Sequence, residues 1–290
     1  MLNIQRYLAN NDFSALYNEL GIQSSVDNEV SPELVSLNYD MLASPKIHPI
    51  VAECRGLILS KTAPYQVIAR TFDRFFNNDE ALAITSEIDY TDVEALEKID
   101  GSLVSIFYNP FDEQWNVATR KTVNGRKAIT SKRISMIAII LEGMGIDVSD
   151  LDCFVPEGED FLNKDVYSEL IVRLNDAIAS TGAFGVNYTY ICEVAGPHNR
   201  VITEYKENKT YLLAIRHKET GEYLPLEHLD FIAHETELFS LPKRYAVKSK
   251  EQLALIVNEL NQDTNALLEG IVVFDRNKNI FSKVKNNVYL

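Results

Sequence analysis

The stretch Glu97-Lys98-Ile99-Asp100-Gly101-Ser102 sets a lysine and an aspartate beside a glycine, between two apolar segments. The lysine amine can act as a nucleophile, but at its reference pKa of about 10.4 it is almost wholly protonated near neutral pH. Nearby cations make the neutral amine easier to reach. Lys283 and Lys285, in "FSKVKNN", can supply them, because side chains two apart in a strand share a face. Two carboxylates complete the set. Glu193 stands in "CEVAGPHNRV", ahead of His198, Asn199 and Arg200, and Glu269 precedes Gly270 in "LEGIVV". Glu269 offers hard oxygens suited to Mg²⁺, reached through water. Singly, each cluster has a bland reading, since a Lys-x-Lys pair is ordinarily a solvated strand face. Their joint presence carries the weight.

The chain around these clusters has 290 residues, 46% apolar and 24% charged, enough for one large domain with a core. Its net charge of −14 speaks against a nonspecific nucleic-acid coat but leaves room for a local basic groove. Acidic residues cluster, for example, in "SEIDYTDVEALE" and "PEGEDFLNKD". Cys54, Cys153 and Cys192 are far apart and form no CxxC pair, which suits a reducing cytoplasm and argues against a zinc site. No apolar run is long enough to span a membrane, and the N-terminal "MLNIQRYLANNDFSALYNEL" reads as an amphipathic helix rather than a leader.

The elements that must position the clusters alternate between strand and helix signals. "CRGLILS" and "YQVIARTF" predict strands, and "KIDGSLVSIFYN" and "QWNVATRKT" predict a pair joined by "PFDE". "ITSKRISMIAIILEGM" and "DVYSELIVRLNDAIAST" carry apolar residues at helical spacing. Strands return in "NYTYICEVAG", "RVITEY" and "YLLAIRHKETGEYLPL", the last a hairpin turning at Thr220-Gly221. "SKEQLALIVNELNQ" predicts a helix capped by Ser249, and the closing segment predicts a hairpin turning at Asn277-Lys278-Asn279. The pattern is α+β, with antiparallel sheets and outer helices. No linker divides it. It reads as a single domain over 1–290, with 1–45 as a helical N-terminal cap.

In this order the clusters resemble the motifs of covalent nucleotidyltransferases, most closely the bacteriophage RNA ligase 1 family. Lys98–Ser102 matches KxDGS. "ICEVAGPHNRVI" matches the strand with Glu and the Pro-x-Asn-Arg turn, and "LLAIRHKETGEY", with Arg216, matches the strand after it. Glu269–Val272 matches EGxV, and Lys283–Lys285 matches KxK. "ECRGLIL" and "RTFDRFFNNDE" match segments that the family carries upstream, so the resemblance runs from about residue 36 to the end.

The resemblance implies the nucleotidyltransferase (ATP-grasp-like) fold, with ATP lying between antiparallel sheets, and an ATP- and Mg²⁺-dependent RNA ligase, Mn²⁺ being a possible substitute. In that reaction a lysine takes AMP from ATP. The AMP passes to an RNA 5′-phosphate, and a 3′-hydroxyl displaces it. Lys98 is then the nucleophile, Lys283 and Lys285 neutralise phosphate charge, and Glu269 holds the metal. Glu193 binds a ribose hydroxyl, Arg55 meets a phosphate, Asp100 orients Lys98 or the sugar edge, and Gly101 admits the nucleotide closely. Glu97 and Phe75 join the nucleotide contacts. Arg120, Lys121 and Arg216 are candidates for the RNA, with Arg126 and Lys127 in the same basic run. The family's setting is phage or cellular RNA repair.

The chain stops five residues after Lys285, where longer relatives continue into a C-terminal domain, so no appended domain is expected. Three alternatives remain: a self-adenylylating sensor of RNA ends, a DNA ligase, and a capping-type enzyme. Against the functional set stand plain readings. Phe75 and its neighbour Phe76 suit a core, His198 suits a brace for its turn, and Cys54 and Cys192 suit buried inert positions.

Overall fold

The computed structural model describes residues 1–76, 88–262 and 269–285. The chain begins with α1 (Asn3–Leu8), α2 (Phe13–Leu20), β1 (Ile22–Asp27), β2 (Ser31–Tyr39), α3 (Pro49–Glu53), β3 (Arg55–Ser60) and β4 (Val67–Ala69). It continues through β5 (Val93–Glu97), β6 (Ser102–Asn109), β7 (Gln114–Thr119), α4 (Met136–Gly143), α5 (Lys164–Thr181), β8 (Tyr188–Ala195) and β9 (Lys209–His217). It closes with α6 (Leu226–Thr236), β10 (Arg244–Tyr245), α7 (Lys250–Gln262), β11 (Gly270–Asp275) and β12 (Ile280–Lys285).

These strands make three four-stranded sheets, ordered β1-β2-β3-β4, β7-β6-β8-β9 and β10-β5-β11-β12, with antiparallel pairing throughout. Each is covered by helix on one face, which is the α+β arrangement that the alternating patterns predict. In the N-terminal sheet Val35, Leu37, Leu57 and Leu59 pack with Ile4, Leu8, Leu16 and Leu20 of α1 and α2. Its other face meets the central sheet through Leu34, Ile58, Phe107 and Ala118. The central sheet rests on α4, α5 and α6 through Ile106, Val117, Ile139, Ile140, Leu170 and Leu229. The third sheet buries Ala95, Ile271 and Val273 with Leu253 of α7.

The first 45 residues are not a helical cap. Asp12 accepts from the Ala15 amide at 2.8 Å and starts a second short helix, which ends where Gly21 turns left-handed at φ 64°. The chain then forms the β1–β2 hairpin, and β2 is buried on both faces within the sheet. "RVITEY" is not a strand either, for residues 201–205 form an irregular loop. The Thr220-Gly221 turn is present, but beyond it only an isolated Arg216–Tyr223 bridge forms before α6 begins. β5 and α6 escaped the sequence reading. In β5 the glutamates of Val-Glu-Ala-Leu-Glu flank the buried pair Ala95 and Leu96, so the end of an apparent acidic cluster is a strand. Ser249 does accept from Gln252 at the start of α7, at 3.2 Å.

The site-bearing segment is a crossover. β5 belongs to the third sheet and β6 to the central one, so Lys98–Gly101 is the chain passing between them. Gly101 is required by that passage, because a Cβ there would lie 2.2 Å from the Val194 carbonyl oxygen of β8. Gly101→Ala should therefore cost about 1–3 kcal/mol through overpacking against backbone. Urea unfolding measures this, and an unchanged midpoint would show that β8 yields freely.

Candidate active site

Lys98 is fixed by its own backbone, its amide donating to the Gly270 carbonyl at 2.9 Å where β5 runs beside β11. Its side chain, 21% exposed, forms an ion pair with the Glu269 carboxylate. Gly270 lies opposite Lys285 in the β11–β12 ladder and Val272 lies opposite Lys283. The pairing of three strands therefore brings together sequence clusters more than 170 positions apart. The Lys285 side chain lies outside the described residues, as does the part of "RTFDRFFNNDE" beyond Phe76.

The crossover is locked from the other side. Asp100 is 3% exposed, and its Oδ2 accepts from the amides of Ile202 and Thr203 at 2.9 and 2.6 Å. Its own amide donates to the Tyr205 hydroxyl at 3.1 Å. These bonds clasp the 201–205 loop to the lysine turn. Ser102 Oγ donates to Asn199 Oδ1 at 3.2 Å, and Asn199 Nδ2 donates to the Val194 carbonyl at 2.7 Å. The Pro-x-Asn-Arg turn is therefore stitched to the lysine turn. His198 braces it, meeting Glu142 at 3.0 Å and Asn208 at 2.7 Å.

Lys98 opens on a cleft of about 530 Å³ between the central and third sheets, lined by Arg55, Phe72, Phe75, Glu97, Leu103, Glu193, Leu213, Val272 and Phe281. Glu193, opposite Leu103 in the β6–β8 ladder, projects from the sheet that forms one wall. Burial pushes its carboxyl from the usual 4.5 to about 7, with Lys98 and Arg55 pulling it down and Glu269 pushing it up. A backbone hydrogen bond from Gly101 also holds it down.

That shift has a consequence for stability. Between pH 4.5 and 7 the folded chain holds a proton that the unfolded chain has released, so Glu193 lowers stability as pH rises through this window. Glu193→Gln should leave stability near pH 4.5 little changed and raise it near pH 8, by roughly 3 kcal/mol at most. Paired denaturant titrations at the two pH values measure the difference. An equal effect at both would mean that Glu193 ionises normally.

Cations gather over the opposite wall. Arg55 Cζ lies 4.6 Å and Lys283 Nζ 5.5 Å from the Phe75 ring centre. Phe75 also packs on Phe72 and Phe281, so it is both core and cleft wall. Arg55 Nε is shut off from solvent without a hydrogen-bond partner, and burial lowers the pKa of the guanidinium. Arg74, which the sequence reading passed over, belongs with it. Its Cζ lies 4.4 Å from the Tyr39 ring, Arg120 Cζ lies 4.8 Å from the same ring, and Arg74 Nη1 is buried without a partner. Nothing local marks Arg74, since Tyr39 reaches it from another strand. Arg120 also donates to Asn38 at 3.0 Å, and Lys121 is exposed beside it.

Arg216, a candidate for the RNA, and Arg126, whose basic run would ordinarily be a solvated face, are both buried and paired. Arg216 is 1% exposed and spends its guanidinium on Asp73, Thr71 and Gly221. Arg126 is 3% exposed and pairs with Asp27 at 3.0 Å. Each sits on an inward-facing backbone position, so its charge is met inside the fold. Cys54 and Cys192 are buried, and burial raises both thiols, as their apolar strands predict.

Unpartnered guanidinium nitrogens beside a cleft with a lysine amine suit a polyanionic ligand such as a nucleoside triphosphate. Among the described residues no group of three or more His, Cys, Asp or Glu side chains is placed to hold a metal ion. Glu269 by itself suits instead a Mg²⁺ that keeps most of its waters. No helix among the described residues is long and apolar enough to cross a membrane.

The chain is similar to several known proteins. A protein of Autographa californica nuclear polyhedrosis virus, named as a candidate bifunctional polynucleotide kinase/RNA ligase, is 28% identical over 299 aligned positions, covering 100% of this chain and 37% of the viral one. The chain thus spans little more than a third of that relative. An archaeal ATP-dependent RNA ligase superposes with a TM-score of 0.57 at 14% identity, over 95% of this chain and 61% of that one. An Aquifex aeolicus protein named as a candidate ATP-dependent DNA ligase gives 0.51 at 14% identity, over 95% and 62%. At these identities the two structures carry the fold alone, the nucleotidyltransferase fold of ATP-dependent ligases. The RNA ligase family model of the T4 RNA ligase 1 type matches residues 53–289, and the chain belongs to that RNA ligase family.

Proposed function

We propose that this chain is an ATP-dependent RNA ligase that joins 5′-phosphate and 3′-hydroxyl ends through lysyl-AMP and adenylylated RNA. The observation that carries the reading is the placement of Lys98 at the mouth of an inter-sheet cleft, ion-paired to Glu269, with cations over its aromatic wall.

In this reading Lys98 Nζ attacks the ATP α-phosphorus and pyrophosphate leaves. Lys283 and Arg55 offset charge gathering on the phosphate oxygens, and Arg74 and Arg120 extend that field toward the polyphosphate. The Glu269 carboxylate must give up the Lys98 ammonium for the amine to act, and Glu193, about half protonated near pH 7, can hydrogen-bond a ribose hydroxyl as donor or acceptor. Glu269 would hold Mg²⁺, which would supply Lewis-acid charge when bound. RNA enters over Lys121 and the rim, against a net charge of −14.

The test is incubation with α-labelled ATP or GTP and Mg²⁺, followed by a chase with 5′-phosphorylated RNA or DNA. Label should enter the protein from ATP and move to RNA. Label that stays on the protein would favour an end sensor. Preferential GTP labelling would favour a capping-type enzyme, and transfer to DNA alone a DNA ligase.

A further inference from the structure

We infer that Arg216 is a positioning residue for the nucleotide cleft, acting through Arg55 without touching ATP; the inference rests on the reading of this cleft as the ATP site. Arg216 lies on β9 of the central sheet, and its guanidinium reaches across to the chain leaving the N-terminal sheet. Nη1 and Nη2 donate to the two Asp73 oxygens at 3.0 and 2.8 Å, Nη1 also donates to the Thr71 carbonyl, and Nε donates to the Gly221 carbonyl at 2.9 Å. The Thr71 hydroxyl in turn donates to the carbonyl of Arg55. A continuous relay thus runs from Arg216 through Thr71 to the backbone of the arginine whose side chain covers Phe75.

The surroundings hold the relay stiffly. Arg216 Cζ stacks 4.6 Å from the Tyr223 ring centre, and Tyr223 packs on both Phe72 and Phe281 of the cleft wall. Gly221, at φ +78°, leaves no room for a Cβ because Arg70 Nη1 would lie 2.4 Å from it. Arg70 reaches Asp73 as well, at 3.6 Å. Burying a guanidinium for packing alone is costly, and an apolar residue of similar volume would serve a core as well. What an apolar residue cannot supply is a planar fork that fixes a carboxylate and two carbonyls from different segments at once.

The experiment is a double-mutant cycle on the full chain, read as the Kd of the unreactive analogue α,β-methylene ATP and as KM and kcat of self-adenylylation. Arg216→Met should weaken analogue binding and raise KM about tenfold, while kcat at saturating ATP stays within about threefold. Arg216→Lys should not restore binding, because an ammonium lacks the fork. Thr71→Val, which removes only the relay hydroxyl, should move Kd in the same direction. In an Arg55→Ala background, Arg216→Met and Thr71→Val should each add less than about twofold. Full additivity with Arg55→Ala would overturn the inference, as would variants that lower the melting temperature while leaving Kd and KM unchanged. Should Arg216→Met fail to fold, the Thr71→Val cycle with Arg55→Ala decides by the same criteria. No analogue binding by wild type would defeat the ATP reading itself, whereas binding with additive variants would defeat this inference alone.

Discussion

Lys98→Ala should abolish the covalent protein–AMP adduct and ATP-driven sealing, yet still join RNA that already carries a 5′-adenylyl group. The two substrates separate because only the first step uses the Lys98 amine as the attacking group. The closing step attacks an activated phosphate with an RNA hydroxyl, and it needs the charge field of the cleft rather than the amine. The ion pair sharpens the expectation. Removing Lys98 leaves the Glu269 carboxylate, 8% exposed, without the ammonium that now faces it, so some stability is lost too, as for a buried pair robbed of one partner. Lys98→Arg separates the effects, since it keeps a positive charge near Glu269 but is no nucleophile at neutral pH. A denaturing gel with α-labelled ATP, run beside a sealing gel with pre-adenylylated RNA, reads both steps. A labelled Lys98→Ala protein would move the nucleophile elsewhere in the chain and leave the 98–101 crossover as a structural turn.

Lys283→Ala should behave differently, with both ATP-driven and pre-adenylylated joining falling by about 10²-fold. Lys283 lies opposite Val272 in the ladder that also carries Gly270, and its ammonium lies 5.5 Å from the centre of the Phe75 ring on the cleft wall. In the proposed reaction a cation held there would face the α-phosphate in every step, whether the AMP is on ATP, on the enzyme or on RNA. A lost charged contact in a largely dry site costs on the order of 3 kcal/mol of transition-state stabilisation, which is about 10²-fold in rate. Single-turnover rates on the two substrates give the comparison. If only the ATP-driven reaction slows, Lys283 serves the nucleophile or the leaving pyrophosphate, and its proposed role in the sealing step falls.

What the sequence determined by itself is the set of groups and their chemistry. Lys98, Glu193, Glu269 and Lys283 were legible because each belongs to a short local pattern: Lys-x-Asp-Gly, the Glu ahead of the Pro-x-Asn-Arg turn, Glu-Gly and Lys-x-Lys. The structure sets Lys98 and Glu193 on one cleft, Glu269 against Lys98, and Lys283 over the aromatic wall. The strand and helix pattern likewise announced an α+β body, since periods of two and of three to four residues are local properties of the chain.

What only the tertiary structure decided is which of those groups meet, and which charges are met inside the fold. β5 hid behind its glutamates, because its five residues carry no alternation of their own and pair as a strand only with β11 beside them. The N-terminal hairpin looked like part of a cap, because β2 earns burial on both faces from a helix layer and a second sheet that lie apart from it in sequence. Gly101 answers to the Val194 carbonyl across the central sheet, Arg74 to a tyrosine on β2, and Arg216 to a carboxylate 143 positions away. A charged side chain in a strand reads as surface until its partner is known. Burial and pairing are set by the residues that fold against it, and their identities are absent from its own neighbourhood in the sequence.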